Sequence, residues 1–279
     1  MTPTPIDSPA AAPDFAAVKT RQQAMWASGD YSAVAATIHV IAERLADHAD
    51  LVAGTKVLDV ATGSGNAALA AARYGCEVTG IDYVPALLER ARRRAEAEGL
   101  DIDLLEADAE ALPFADASFD AVLSVVGVMF APDQAKAAAE LVRVCRPGGT
   151  IALASWTPDS FIGRLLRTVG AHVPPPAGVA SPIRWGDEEV VRELFGDEVA
   201  SLHARERTYT FRFASAASFV DFFLTHYGPT HKAFEALDAD GRAALRADLE
   251  ALAADGDRRK DGGAVAIPAS YLEVVATRA

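Results

Sequence analysis

The sequence is short of cysteine and of long apolar runs, and each shortage excludes a class of protein. Only two cysteines, Cys76 and Cys145, occur among 279 residues, and no Cys/His pair has the spacing of zinc ligands. We therefore expect two reduced thiols, no bound metal and a cytoplasmic location. No uninterrupted apolar stretch approaches the roughly 20 residues that a membrane span needs, so we expect no span.

Basic residues are also few, because 26 Lys and Arg stand against 39 Asp and Glu, for a formal net charge of −13 at pH 7. Such a surface repels phosphate backbones, so we do not expect nucleic acid as a partner. The segment 1–14 is rich in Pro, Ala and Thr and lacks the basic start and apolar run of a signal peptide. It is predicted to be a disordered tail, followed by a single domain over 15–279.

The middle of the chain alternates short apolar runs with Ala-rich amphipathic stretches. This alternation predicts an α/β fold, a mostly parallel sheet with helices on both faces. Right-handed crossovers place the loops that follow the strands on one edge, where a ligand binds. The predicted strands cover 57–61, 77–81, 102–106, 120–126 and 150–156, with helices at 66–74, 85–98 and 132–144.

The two ends of the domain carry more helix. Residues 15–52 have helical periodicity that breaks near residues 28–30, and a Pro/Gly-rich loop covers 170–186. Two late strands can form an antiparallel edge on the parallel sheet. Further helices are predicted at 161–169, 188–195 and 215–254, and the late strands at 200–213 and 271–277.

A glycine turn after the first strand is the most informative motif. Gly63 and Gly65 let the backbone turn sharply and let a ligand approach closely. Asp59 lies in the strand end before the turn, where a carboxylate would repel a pyrophosphate but attract the ammonium of an amino-acid ligand, directly or through water. This arrangement favours S-adenosylmethionine over NAD, although Asp59 could instead cap its own loop.

Acidic residues follow the next two strands. Asp82 ends the second strand, 19 residues after Gly63, where a carboxylate accepts hydrogen bonds from both ribose hydroxyls of a nucleoside. It could alternatively cap the helix that begins near Pro85. Asp108 follows the third strand, where a carboxylate and a backbone N–H can bind adenine.

In order along the chain, these motifs resemble the class I S-adenosylmethionine-dependent methyltransferases. Within that superfamily the sequence is similar to the small-molecule branch that includes the quinone-biosynthesis C-methyltransferases. The resemblance covers roughly residues 56–156 and implies a Rossmann-like seven-stranded sheet whose last strand is antiparallel, with N-terminal and C-terminal helical cap elements. The motifs are Val57-Leu58-Asp59-Val60-Ala61-Thr62-Gly63-Ser64-Gly65, Gly80-Ile81-Asp82, Ala107-Asp108-Ala109-Glu110, Leu112-Pro113-Phe114, Ser118-Phe119-Asp120 and Arg146-Pro147-Gly148-Gly149.

The resemblance also implies roles for individual residues. The first motif would hold the methionine moiety, the acid after the second strand the ribose, and the acid after the third strand the adenine. An N-terminal helix would cover the cofactor. The residues expected to bind it are Trp26, Tyr31, Asp59, Ala61, Thr62, Gly63, Ser64, Gly65, Asp82, Tyr83, Asp108, Ala109 and Ser124.

The methyl acceptor is expected to be a small, partly apolar molecule, bound by the segments 157–186 and 215–260. The leaving group of a methyl transfer is a neutral thioether, so no departing anion has to be stabilised, but an oxygen or carbon acceptor can need a base that removes its proton. No catalytic residue is assigned. Candidates for a base are His226, Tyr227, His231 and His172, and candidates for an apolar acceptor pocket are Phe130, Phe222 and Phe223.

Two other functions stay open at this point. An NAD-dependent dehydrogenase or epimerase shares the glycine turn, but none of the six tyrosines has Lys four positions later, as the short-chain members require. A non-catalytic protein of this fold could bind adenosylmethionine as a structural or regulatory ligand. The oligomeric state, monomer or homodimer, is not readable from the sequence.

Overall fold

The computed structural model describes residues 13–279, so residues 1–12 of the predicted tail lie outside the described residues. Seven strands form one sheet in the order β3-β2-β1-β4-β5-β7-β6. They are β1 (Lys56–Val60), β2 (Glu77–Asp82), β3 (Asp103–Glu106), β4 (Phe119–Val125), β5 (Cys145–Trp156), β6 (Val199–Phe213) and β7 (Val265–Arg278).

The first five strands pair in parallel, and β7 is antiparallel to both of its neighbours, β5 and β6. The predicted mostly parallel, seven-stranded sheet with an antiparallel last strand is therefore confirmed. In β1 every residue after Lys56 is buried, and the end of β5 is buried throughout. Central strands that are apolar on both faces need helices on both faces, as the alternating pattern predicted.

Helices connect the strands and flank the sheet. Local signals explain several of their ends: Pro85 begins α4, Gly99 ends it in the left-handed region at φ 67°, and Asp30 caps α2 by accepting from the backbone N–H of Ser32. The helices are α1 (Phe15–Trp26), α2 (Tyr31–His48), α3 (Asn66–Arg73), α4 (Pro85–Glu98), α5 (Gln134–Val144), α6 (Phe161–His172), α7 (Glu188–Phe195), α8 (Ala216–His226), α9 (Gly228–Ala236) and α10 (Ala239–Gly256).

Some predicted bounds were wrong. The single helical stretch at 215–254 is three helices, because Pro229 starts a new first turn in α9 and Asp238 caps α10. The strand predicted at 150–156 begins earlier, since the Arg146-Pro147-Gly148-Gly149 motif belongs to β5, where the register against β4 shifts and absorbs the extra residues. Part of the loop at 170–186 is helical, since α6 reaches His172 and a 3-10 turn covers Pro182–Gly186. Among the described residues, no helix is long and apolar enough to cross a membrane.

Candidate functional site

A cleft opens at the carboxyl ends of the parallel strands, under helix α1. We call it the main cleft, and it encloses about 580 Å³ of empty space including the part open to solvent. The residues that line it come from the ends of β1, β2 and β4, from the segment after β3, and from α1, α2 and α4. They are Lys19, Trp26, Tyr31, Ala61, Gly63, Asp82, Tyr83, Leu87, Asp108, Ala109, Glu110, Val126, Gly127, Val128, Phe130, Ala131 and Pro132.

The structure brings eight of the thirteen expected cofactor-binding residues to this one cleft. The other five, Asp59, Thr62, Ser64, Gly65 and Ser124, lie outside the lining. Ser124 joins two strand ends behind the cleft, since its hydroxyl donates to the carbonyl of Val60 at 2.7 Å and accepts from the N–H of Val128 at 2.9 Å. The roles of all thirteen in cofactor binding stay predictions.

The backbone around the glycine turn is held in an unusual conformation. Gly63 has φ 57°, and two residues that carry side chains, Ala61 and Val126, also have left-handed φ angles of 55° and 52°. For a β-branched residue such as Val126 this conformation is strained, and strain of this kind gathers at functional sites. Gly127 allows the two strand ends to meet, because a Cβ there would lie 2.6 Å from the carbonyl oxygen of Ala61.

Asp59 points into the protein and holds the glycine loop closed. Its side chain is 1% exposed, and one oxygen, Oδ2, accepts from the Thr62 hydroxyl at 2.6 Å and the Ala68 N–H at 2.8 Å. Burial raises the pKa of Asp59, the two hydrogen bonds lower it, and the nearby charge of Asp82 raises it slightly, so that the net pKa is about 7. These contacts correspond to the loop-capping interpretation, and contact with a ligand ammonium stays a prediction.

Asp82 lines the cleft and also fixes the loops on either side of it. One oxygen accepts from the Gly63 N–H at 2.9 Å, and the other accepts from the Val84 N–H at 2.8 Å. Burial raises the pKa of Asp82 to about 6, against the effect of the backbone hydrogen bonds. Each carboxylate oxygen can accept more than one hydrogen bond, so both can still receive a ligand hydroxyl.

Asp108 and Glu110 both form ion pairs with Lys19 of helix α1. The Lys19 ammonium lies 2.6 Å from Asp108 and 2.9 Å from Glu110, whose side chain is only 2% exposed. The same helix is tied down further along, because the Gln23 side chain donates to the Tyr83 carbonyl at 2.5 Å. Helix α1 therefore covers the cleft and is fastened to the segment that is expected to bind adenine.

A group of aromatic rings closes one end of the cleft. Trp26 packs edge-on against Tyr31, Phe130 and Tyr227, with ring centroids 5.3, 4.9 and 5.7 Å apart. The Tyr31 ring lies over the glycine turn, since a Cβ on Gly63 would be 3.7 Å from its Cε1. Trp26 and Tyr31, which the resemblance implied as cofactor-binding residues, both line the cleft.

A smaller cavity, which we call the apolar chamber, adjoins the main cleft and shares Tyr31 and Val126 with it. The candidate base Tyr227 and the acceptor-pocket candidate Phe223 line this chamber. Of the other two acceptor-pocket candidates, Phe130 lines the main cleft and Phe222 lines neither cavity. The full lining is Tyr31, Val34, Ile38, Val126, Trp156, Ile162, Phe211, Phe223 and Tyr227.

The three candidate histidines line neither cavity. The His231 ring bonds the Leu224 carbonyl at 2.9 Å and lies 3.3 Å from Glu235, both in the helical insert. The His172 ring lies 2.7 Å from Asp248. His226 packs against the Phe222 ring, at a centroid distance of 4.8 Å. His231 and His172 thus have polar partners away from the cleft, whereas the buried Nδ1 of His226 has none.

Sequence reasoning missed several residues of the cleft. The Val126-Gly127 pair follows β4 directly, and a glycine at the carboxyl end of a parallel strand was a usable signal. Lys19 could not be predicted in this way, because it precedes Asp108 by 89 residues and contacts it only when α1 packs over the cleft. The charged lining thus comprises three carboxylates, Asp82, Asp108 and Glu110, and one ammonium. This excess of negative charge favours a cationic ligand over a pyrophosphate.

Comparison with known proteins relates this geometry to a family. Residues 58–153 match a family model described as a methyltransferase domain. An uncharacterized protein of Mycobacterium tuberculosis (strain ATCC 25618 / H37Rv) is 44% identical over 248 residues, which cover 88% of this chain and 89% of that protein.

Of two further matches, one covers a shorter part of the chain and the other has a lower sequence identity. The demethylmenaquinone methyltransferase of Thermus thermophilus is 47% identical over 105 residues, which cover 37% of this chain and 48% of that enzyme. The crystal structure of the YcgJ protein from Bacillus subtilis has the same fold, with a TM-score of 0.59 and 18% identity over 86% of this chain and 98% of that one.

Proposed function

The chain belongs to the class I S-adenosylmethionine-dependent methyltransferases, and we propose that it moves a methyl group to an oxygen, carbon or nitrogen of a small, partly apolar metabolite. The observation that supports this proposal is the convergence of Gly63, Asp82 and Asp108 on one negatively charged cleft. A cytoplasmic location and a monomeric or homodimeric state stay predictions.

The residues of the main cleft fit S-adenosylmethionine by their chemistry. Ala61 and Gly63 of the glycine turn line the cleft where the methionine part is expected, Asp82 offers acceptors to the ribose hydroxyls, and Asp108 with the Ala109 backbone offers an acceptor and a donor to adenine. When bound, this cofactor supplies a methyl group on a positively charged sulfonium, which leaves as a neutral thioether. The protein's own contribution is then to position the acceptor and exclude water, which Trp26 and the helix α1 are placed to do.

Calorimetric titration with S-adenosylhomocysteine tests the ribose assignment. We expect Asp82→Ala to weaken binding at least about 10-fold, because hydrogen bonds to a charged group contribute about 1.5–3 kcal/mol each. Asp255→Ala is the matched control, since Asp255 is an exposed partner of Arg164 away from the cleft. Equal affinity in both variants would refute the assignment.

Asp82→Ala also removes the acceptor of two backbone N–H groups, so folding has to be measured beside binding. Titration should therefore be restricted to conditions in which the variant's unfolding transition shows a fully folded baseline. Parallel titration with NAD tests the dehydrogenase alternative, for which we expect no binding. Formation of S-adenosylhomocysteine with a panel of small acceptors tests the non-catalytic alternative, and no turnover with any acceptor would favour it.

A further inference from the structure

The apolar chamber contains two phenols and no charged side chain. Its nine lining residues are aliphatic or aromatic, without a carboxylate, imidazole, amine or guanidinium. Because Tyr31 and Val126 belong to both linings, a molecule in the chamber and a molecule in the main cleft would meet at these two residues. The chamber is therefore the apolar space next to the expected cofactor site.

The two phenols, Tyr31 and Tyr227, have hydroxyls without a partner. Their ring centroids lie 6.4 Å apart, and Tyr227 is only 5% exposed. Within residues 13–279 neither hydroxyl makes a hydrogen bond to protein, in contrast to Tyr209, whose hydroxyl donates to the Thr37 carbonyl at 2.5 Å. Neither oxygen belongs to the fully buried, unpartnered side-chain atoms of the described residues, so both hydroxyls are accessible and can donate to a ligand oxygen.

The state of these hydroxyls is set by their surroundings. Burial raises the pKa of Tyr31, and the charge of Asp82 raises it further. Burial also raises the pKa of Tyr227, with a smaller effect from Tyr31. Both phenols consequently keep their protons at neutral pH and act as hydrogen-bond donors rather than as bases.

We propose, on the basis of the proposed function, that the hydroxyls of Tyr31 and Tyr227 form a two-donor site for an oxygen of the methyl acceptor, and that this acceptor is a phenol or an enol. The apolar walls bind its ring or unsaturated chain, and the two donors orient its oxygen toward the main cleft. Donors placed in this way reject a molecule of the same shape without the oxygen, because they would stay unpaired.

Because the chamber lining contains no base, we infer that the hydroxyl of the acceptor is itself acidic. A hydroxyl that attacks a methyl group has to lose its proton, and no lining residue of the chamber can take it. The proton therefore leaves to bulk water before the acceptor binds, which is feasible for a phenol or enol and not for an aliphatic alcohol. Hydrogen bonds from the two neutral donors then stabilise the negatively charged oxygen in the chamber.

The chamber is narrow, so the aromatic rings have to move apart when a ring enters. Trp26 packs on both phenols, at 5.3 and 5.7 Å, and its contacts would be exchanged for contacts with the incoming ring. Exchange of one edge-to-face aromatic contact for another costs little, because each is worth only about 0.5–1.5 kcal/mol beyond its buried area. Binding should accordingly change the tryptophan fluorescence, because Trp156 lines the chamber and Trp26 packs on both phenols.

The test compares two probes of the same ring, 4-nitrophenol and nitrobenzene, in the presence of saturating S-adenosylhomocysteine. Affinity is measured by calorimetry and by the absorption band of the probe, for the unaltered protein, for Tyr227→Phe and for Tyr74→Phe. Tyr74 is the matched control because it is 39% exposed and lines neither cavity.

We expect Tyr227→Phe to weaken 4-nitrophenol binding about 3-fold to 10-fold, as removal of one hydrogen bond does, and to leave nitrobenzene unchanged. Tyr74→Phe should change neither. Equal binding of 4-nitrophenol to all three proteins, or no binding at all, would overturn the two-donor site while the proposed function stands. Failure to bind S-adenosylhomocysteine would instead overturn the proposed function, and this inference with it.

Discussion

The variant Asp59→Asn distinguishes two interpretations of Asp59, that its carboxylate caps the glycine loop or that it attracts the ammonium of the ligand. Oδ2 of Asp59 accepts both known hydrogen bonds, from Thr62 and Ala68. An asparagine that keeps its carbonyl oxygen at this position preserves both contacts and places its amide nitrogen where the second carboxylate oxygen was. We therefore expect the variant to fold with the glycine loop intact.

The size of the effect follows from the pKa of Asp59, which burial raises from its ordinary value of 3.8 to about 7. A carboxyl whose folded-state pKa is raised binds its proton more tightly in the folded protein than in the unfolded chain. Its contribution to stability is complete below about pH 4 and is lost as the pH rises to 7. Since one pH unit corresponds to about 1.36 kcal/mol, the loss is about 4 kcal/mol over this window.

The variant has no such proton to lose. Its free energy of unfolding, relative to that of the unaltered protein, should rise by about 1.36 kcal/mol for each pH unit between pH 4 and 7 and level off above that. Asp82, whose pKa is about 6, contributes pH dependence of the same sign to both proteins and largely cancels in the difference. Urea unfolding at pH 5, 6, 7 and 8 measures this quantity.

Parallel stability curves would show that Asp59 is ionised in the folded protein across this range and would refute the reasoning. Titration with S-adenosylhomocysteine then adds the ligand. If Asp59 only closes the loop, Asp59→Asn binds the ligand as the unaltered protein does, above pH 7 as well as below. If the carboxylate also attracts the ligand ammonium, the variant loses affinity and the loss grows with pH.

Two further substitutions test the backbone and the cover of the cleft. Gly127→Ala places a Cβ 2.6 Å from the Ala61 carbonyl oxygen, so we expect the free energy of unfolding, measured by chemical denaturation, to fall by about 1–3 kcal/mol. Gly170→Ala is the control: the nearest atom to its Cβ is 3.8 Å away, so this variant should be neutral or stabilising. Lys19→Met leaves the buried Glu110 without its cation. We expect the free energy of unfolding to fall by about 1–3 kcal/mol and hydrogen exchange of the α1 backbone amides to increase. Unchanged exchange would show that the ion pair does not hold the helix.

Much of the fold was predictable because local signals agree with the tertiary structure. The bounds of α4 and α7 match the prediction, and each has a local start signal, Pro85 for the first and Asp187 as the cap of the second. The break between α1 and α2 was also visible, since Gly29 takes a left-handed φ of 69° and Asp30 caps the next helix. Where signals conflicted, as at the Pro-Gly-Gly sequence inside β5, pairing with neighbouring strands decided the outcome.

The location of the main cleft was predictable for a topological reason. Parallel strands end on one edge of the sheet, so residues that follow different strands, such as Gly63, Asp82 and Asp108, had to converge. The orientation of each side chain was not predictable in the same way. Asp59 lies one strand residue before the end, and only the three-dimensional closure of the loop on Ala68 turns its carboxylate inward.

The proposed acceptor side was only partly predictable from the sequence, because Phe223 and Tyr227 were candidates but the residues that meet around them share no local pattern. Tyr31 starts α2, Phe211 belongs to β6, and Tyr227 stands between α8 and α9, almost 200 residues from Tyr31. Each is an ordinary apolar position by itself, and only their meeting creates two unpartnered hydroxyls against apolar walls. Core positions tolerate exchange of one apolar residue for another, whereas paired donors do not. We therefore expect relatives with a different acceptor to differ first at Tyr31 and Tyr227 and to keep Asp82 and Gly63.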